Sequence, residues 1–239
     1  MKKNEGWAAK EVAHQYMKIV DVAIPYRKEI LSIIAGLATA FVTERPKVLD
    51  LGCGYGDVTA EVLKMKPEAS VCLVDFSDEM IRLSSERFKD NLGIRLVKHD
   101  LNTGITDTAI GKGFDVVVSC FALHHIEFTN RVKLYSEIRE ALNEDGLFIN
   151  GDRFKEDSPV IDEWVFNDWI SYRVQQIRKK LGKETTLAEE KQTQNVSDKK
   201  LGDKPGTIWD MQRDLKKAGF RHVDCLWKYQ TLAIIAAAK

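Results

Sequence analysis

A chain of 239 residues has room for one large domain, or for a core carrying an elaboration. Lys+Arg and Asp+Glu each total 36, so net charge offers no attraction for nucleic acid or an anionic membrane, and neither is expected as a partner. The four cysteines, Cys53, Cys72, Cys120 and Cys225, are scattered and form no C-x-x-C pair, which argues against a disulfide framework and for a reducing cytoplasm.

Residues from about Trp7 to Thr43 predict helix with a break at Pro25. The apolar run Ile30 to Val42 within it is shorter than the ~20 residues needed to span a bilayer. Lys47 to Leu51 is a short apolar strand entering a glycine-rich turn, and Asp57 to Lys66 has helical spacing closed by Pro67. Alternation continues with strand Ser70–Phe76, helix Asp78–Phe88, strands Ile94–His99 and Phe114–Phe121, helix Asn130–Leu142 and strand Gly146–Asp152. Strands separated by helices imply an α/β, doubly wound sheet that is mostly parallel, and Val116-Val117-Val118 has the continuous apolar character of a strand covered on both faces.

Beyond Asp152 the character changes. Asp157 to Leu181 predicts one long helix with two apolar stripes, Phe166-Ile170-Val174-Ile177-Leu181 and Ile161-Val165-Trp169-Tyr172. The lysine- and glutamate-rich stretch 183–204 shows no pattern and predicts a lid segment or loop. A helix Thr207–Ala218 and strands near His222–Tyr229 and Leu232–Ala238 follow. A link of a couple of residues joins only antiparallel strands, so the sheet ends in a hairpin with about seven strands. The expected division is an N-terminal helical cap (1–44), a core (45–152), a helical lid (153–206) and a closing helix and hairpin (207–239).

The strongest chemical signal is Val48-Leu49-Asp50-Leu51-Gly52-Cys53-Gly54-Tyr55-Gly56. Glycines at 52, 54 and 56 allow a sharp turn and close approach of backbone to a ligand, while Cys53 reads as a packed turn residue and not a nucleophile. The spacing is G-x-G-x-G and not the dinucleotide G-x-G-x-x-G. Asp75 ends the second strand, where a carboxylate can accept both hydroxyls of a ribose. Phe76 could then pack on an adenine face, and Asp100, before Leu101, could accept from an adenine amino group. The fourth strand runs through Ser119 and Phe121 into Ala122-Leu123-His124-His125-Ile126. At the carboxyl end of a parallel strand, one of these histidines could orient a substrate or take its proton. No His-x-x-x-His pair occurs, so no metal is expected.

This set of residues resembles the class I S-adenosyl-L-methionine (SAM)-dependent methyltransferases, and the Ala-Leu-His-His-Ile ending looks like the type 11 small-molecule branch. The resemblance covers about residues 45–152, plus Ala218-Gly219-Phe220 and the hairpin. It implies a Rossmann-like fold with SAM as cofactor and S-adenosyl-L-homocysteine as product. Asp50, Gly52, Cys53, Gly54 and Gly56 would then surround the methionine part, Asp75 the ribose, Phe76, Asp100 and Leu101 the adenine, and Ser119 to Leu123 the sulfonium. A small-molecule acceptor is implied, with Tyr16, Tyr26, Asp152, Arg153, Trp164, Trp169, Tyr172 and Arg173 as candidate contacts and either a monomer or a homodimer as the working unit. The competing readings are a carboxy-SAM synthase-like enzyme, suggested by the hairpin and the Asp-Arg-Phe after the fifth strand, and a catalytically silent SAM-binding module.

Overall fold

The computed structural model describes residues 10–40, 42 and 44–239. The ends of the first predicted helical stretch, at Trp7 and Thr43, lie outside the described residues. Within it α1 (Lys10–Ala23) and α2 (Arg27–Ala40) meet at a bend where Tyr26 takes a left-handed conformation, φ 55°. Then follow β1 (Lys47–Leu51), α3 (Asp57–Met65), β2 (Ser70–Asp75), α4 (Asp78–Arg87), β3 (Ile94–Lys98), β4 (Phe114–Cys120), α5 (Phe128–Ala141) and β5 (Leu142–Arg153). The chain closes with α6 (Pro159–Leu181), α7 (Leu187–Leu201), α8 (Ile208–Lys217), β6 (His222–Tyr229) and β7 (Leu232–Ala238).

One seven-stranded sheet runs β3-β2-β1-β4-β5-β7-β6. All neighbours are parallel except β7, which pairs antiparallel with both β5 and β6. Successive side chains of a strand point to opposite faces, and β1 shows the consequence. Leu49 and Leu51 join the core under α5 and α8, with Leu134, Ile138, Phe148 and Leu215. Val48 joins the other core, under α2 and α3, with Ile30, Ile34 and Val62. Asp50 shares Val48's face and therefore meets α3, where Thr59 Oγ1 donates to its Oδ2 at 2.6 Å. Strand order reverses between β1 and β4, so their carboxyl ends diverge into the crevice where open α/β sheets bind ligands.

The stretch 183–204 is not a loop. It carries α7, whose start is a capping box: Thr186 Oγ1 accepts from Glu189 N–H at 3.2 Å, and Glu189 Oε2 accepts from Thr186 N–H at 2.8 Å. Gly202, at φ 75°, ends it. Apolar periodicity could not reveal a helix whose buried contact is a charge pair, Arg173 Nη2 to Glu190 Oε2 at 3.2 Å. The long helix also differs from its two-stripe reading. Val165, Ile170, Arg173, Val174 and Ile177 are buried, whereas Ile161 and Leu181 are exposed. Among the described residues no helix is long and apolar enough to cross a membrane. Thr186→Ala should destabilise α7 by ~1 kcal/mol, read as faster amide hydrogen exchange confined to 187–201; unchanged exchange there would show that the cap does not hold the helix.

Candidate active site

At the strand-order reversal a cleft encloses about 990 Å³ of space, open mouth included. Its floor is the glycine-rich turn. Gly52 and Cys53 N–H both donate to Val74 O, at 2.8 and 3.0 Å, which folds the turn over the tip of β2. Gly52 has φ 66°, and a Cβ there would stand 2.3 Å from Ala122 Cβ. The position needs glycine for both conformation and space.

Two carboxylates flank the turn. Asp75 Oδ2 accepts from Gly54 N–H at 2.8 Å and its Oδ1 from Ser77 N–H at 2.8 Å; burial raises its pKa in spite of those bonds. Burial pushes Asp50 up to about 7, against the lowering effect of Thr59. Asp100 Oδ1 accepts from Asn102 N–H at 2.9 Å, so it also caps a short 3-10 turn, Leu101–Thr103.

Of the residues assigned to the cofactor by sequence, Asp50, Gly52, Cys53, Gly54, Asp75, Phe76, Asp100, Leu101 and Phe121 line this cleft. Gly56 and Ser119 do not. Gly56 sits behind the turn, against Phe88 and Leu73. Ser119 is fully buried and donates to Leu51 O at 2.8 Å, fastening β4 to β1. Tyr55, Asp57, His99, Asn102 and Arg27 also line it. Of these, Arg27 brings a permanent positive charge into the cleft. It is buried and reaches Asp21 at 2.7 Å and Asp57 at 2.5 Å, while its Nε has no hydrogen-bond partner. Its only signal in the sequence is its place just after the Pro25 break.

A second cavity adjoins the first across Tyr16, Phe121 and His125, which line both. Its walls come from α1, the β4–α5 loop, the end of β5 and the excursion α6–α7, including His124, Arg153, Trp169, Arg173 and Asp203. Phe121 is held at φ 53° by its N–H to Gly151 O at 2.9 Å, an unusual conformation for a bulky residue. His124 Nδ1 is 2.6 Å from Asp152 Oδ1, and Asp152 is 2% exposed. Because a carboxylate only accepts, Nδ1 carries the proton and Nε2 is left facing the cavity side. Burial alone would lower the His124 pKa; Asp152 and Asp203 override it and the net direction is up. Burial, then His124, lowers His125 well below the ordinary value. Asp203 is pushed up to about 6, by burial first. The segment carrying Asp203 is tied to this loop, since Lys204 N–H donates to His124 O at 2.8 Å.

Four predicted acceptor contacts lie elsewhere. Asp152 lines neither cavity and instead backs His124. Trp164 is 64% exposed, and Tyr172 lines neither cavity. At 3.6 residues per turn Trp164 is rotated by about 100° from Val165, off the buried face, whereas Tyr172 lies at the edge of that face without reaching either cavity. Tyr26 packs edge-on against Tyr229, ring centroids 4.6 Å apart, at the outer hairpin. Tyr16, Arg153, Trp169 and Arg173 do line the second cavity. Arg153 is held by Asp198 at 2.8 Å and Asp203 at 3.4 Å, and Trp169 Nε1 donates to Ala23 O at 2.8 Å. Asp203 itself carried no signal in the sequence, lying in the unpatterned stretch before Pro205-Gly206.

A seven-stranded sheet of this order, with a glycine-turn cleft at its reversal, is the fold shared with solved S-adenosylmethionine-dependent methyltransferases. More particularly, the family model described as a methyltransferase domain matches residues 48–146. The carboxy-S-adenosyl-L-methionine synthase of Nautilia profundicola is 22% identical over 96% of this chain and 92% of its own length. Human N-acetylserotonin methyltransferase, solved with SAM, superposes with a TM-score of 0.62 at 16% identity over 98% of this chain and 57% of its own. The cyclopropane synthase MmaA2 of Mycobacterium tuberculosis gives 0.56 at 16% identity, over 80% and 62%. The chain thus spans less than two thirds of either solved structure, and their likeness establishes the fold. Gly52→Ala should cost about 1–3 kcal/mol of stability and weaken SAM binding together, measured by denaturant midpoint and calorimetric titration; a variant with unchanged values for both would remove the close approach from the account.

Proposed function

We propose that this protein transfers the methyl group of SAM to a small-molecule acceptor seated in the second cavity. The observation that carries this reading is the placement of Asp75, Phe76 and Asp100 around the glycine turn, in a cleft that opens beside Phe121 and His125 into a separate chamber. Asp75 would accept the ribose hydroxyls, Phe76 would cover an adenine face, and Asp100 with Leu101 would receive the adenine edge. Asp50, Gly52, Cys53 and Gly54 would enclose the methionine part. Arg27, with an unpartnered Nε in the same cleft, would face the cofactor's carboxylate.

SAM supplies an activated methyl group: the acceptor atom bonds to the methyl carbon while the sulfur–methyl pair returns to sulfur. The protein's share is alignment and exclusion of water. Phe121 and Tyr16 stand at the junction of the two chambers, and the histidine pair, with His124 fixed by Asp152, orients the acceptor. The cap 1–44 and the excursion 153–206 would cover it. Four free cysteines among the described residues agree with a reducing cytoplasm as the place of action.

A carboxy-SAM synthase-like reaction is the second reading, favoured by the relative from Nautilia profundicola, which pairs with nearly the whole chain. Mass spectrometry of the nucleoside product separates the two: S-adenosyl-L-homocysteine supports methyl transfer, and a carboxylated SAM supports the second. Asp75→Ala should weaken SAM binding at least ~100-fold, equal to about 2.7 kcal/mol, by calorimetric titration. Wild-type binding of NAD in place of SAM, or undiminished SAM affinity in the variant, would overturn the cofactor assignment.

A further inference from the structure

We propose that His124, His125 and Asp203 form a binding site for a first-row divalent transition ion on the wall of the second cavity. The inference deepens the reading above only in placing this ion beside the acceptor. One nitrogen from each ring and one Asp203 oxygen all lie within 4.8 Å of one another, and no other such group of three or more occurs among the described residues. His124 Nε2 is 3.8 Å from Asp203 Oδ2, and His125 Nδ1 is 3.2 Å from Asp203 Oδ1. Ligands about 2.0–2.1 Å from a common ion in tetrahedral array stand about 3.4 Å apart; each ring nitrogen lies near that distance from one of the two Asp203 oxygens, so a shared ion needs the carboxylate to rotate and the three donors to draw in from within 4.8 Å. The set is two imidazoles and one carboxylate, which suits zinc, iron, cobalt or nickel in preference to magnesium or calcium.

Three further features point the same way. First, Asp152 holds Nδ1 of His124 at 2.6 Å. A carboxylate on the far nitrogen is the support that metal-bound histidines ordinarily have, and it leaves the correct nitrogen for the ion. Second, negative charge gathers here: Asp152, Asp198 and Asp203 surround His124 and Arg153, and the shortest Arg153 contact, 2.8 Å, goes to Asp198, with only a 3.4 Å contact to Asp203. Third, all three donors line the second cavity, and His125 lines the cofactor cleft as well, so remaining coordination positions would open toward an oxygen or nitrogen of the acceptor.

The test uses the full chain, free of any affinity tag and stripped with a chelator, titrated with Co²⁺ in the presence and absence of SAM. The expected result is one saturable equivalent of Co²⁺ with visible ligand-field absorption, competed by Zn²⁺. Asp203→Asn should weaken Co²⁺ at least ~10-fold, and Asp152→Asn ~10–100-fold, both with SAM affinity at the wild-type level, which shows that the variants are folded. No saturable Co²⁺ binding to wild-type chain that still binds SAM would overturn the site and leave the methyltransferase reading standing. Equal Co²⁺ affinity in wild type and Asp203→Asn would overturn it too. Loss of SAM binding by the wild-type chain itself would instead strike the reading on which the acceptor's place rests.

Discussion

Everything near the site depends on how closely two backbone turns approach one another. The tip of β1 and the tip of β4 are neighbours in register, Leu51 opposite Ser119, and Ser119 fastens the two from inside by its bond to Leu51 O. One residue further along β1, Gly52 faces Ala122 with no room for a Cβ. That contact joins the loop that would carry SAM to the loop that carries the histidines. It also explains why Phe121 tolerates a left-handed backbone: its N–H is committed to Gly151 O on β5, so the chain must turn there to keep the sheet bonded. The cleft floor is therefore made of the ends of β1, β2 and β4, each paired on both sides, with the end of the edge strand β3 beside them.

The acceptor side is built on another principle. α6 buries Val165, Ile170, Val174 and Ile177, but α7 is held largely by charge: Glu190 to Arg173 of α6, both under 10% exposed at the side chain, and Asp198, with Asp203 just past the helix, to Arg153 of β5. Taking such groups out of water costs about as much as their attraction returns, so they add little net stability. What they supply is position. Removing one partner would strand the other, at about 3–5 kcal/mol, and an arrangement in which α7 slides by a turn would strand several. Trp169 adds a tie to α1 through Ala23 O, so the cap and the excursion close the second cavity as one wall.

These two principles account for what could be read in the sequence. Strand ends that bind a ligand through backbone proximity need glycines and acids at fixed spacing, and Asp50, Gly52, Gly54, Asp75 and Asp100 stood out for that reason; all five line the cleft. Ser119 was legible as a strand residue but not as a fastener, because which face it takes depends on register. The excursion was illegible for a physical reason. A helix buried by charge pairs has no apolar period, so α7 reads as loop, and Asp203 reads as one acid among many. Asp152 and Arg153, read as a pair, part company in the structure, since adjacent strand residues point to opposite sides: Arg153 lines the second cavity and Asp152 turns behind His124.

That last pair joins the two halves of the site. The end of β5 sends one side chain to the β4–α5 loop and the next to α7, and Lys204 N–H returns from the excursion to His124 O. The ring of His124 is thus fixed from the sheet by Asp152 and approached from the excursion by Asp203, 3.8 Å from its Nε2. A displacement of 198–204 moves the carboxylate directly and reaches the His124 loop only through the Lys204 bond, so the distance between Nε2 and Asp203 is a coordinate of the site on which the excursion bears. On the proposed reading, acceptor choice would then change through 153–206 with the glycine-turn cleft untouched, which is how one binding scaffold can serve chemically different acceptors.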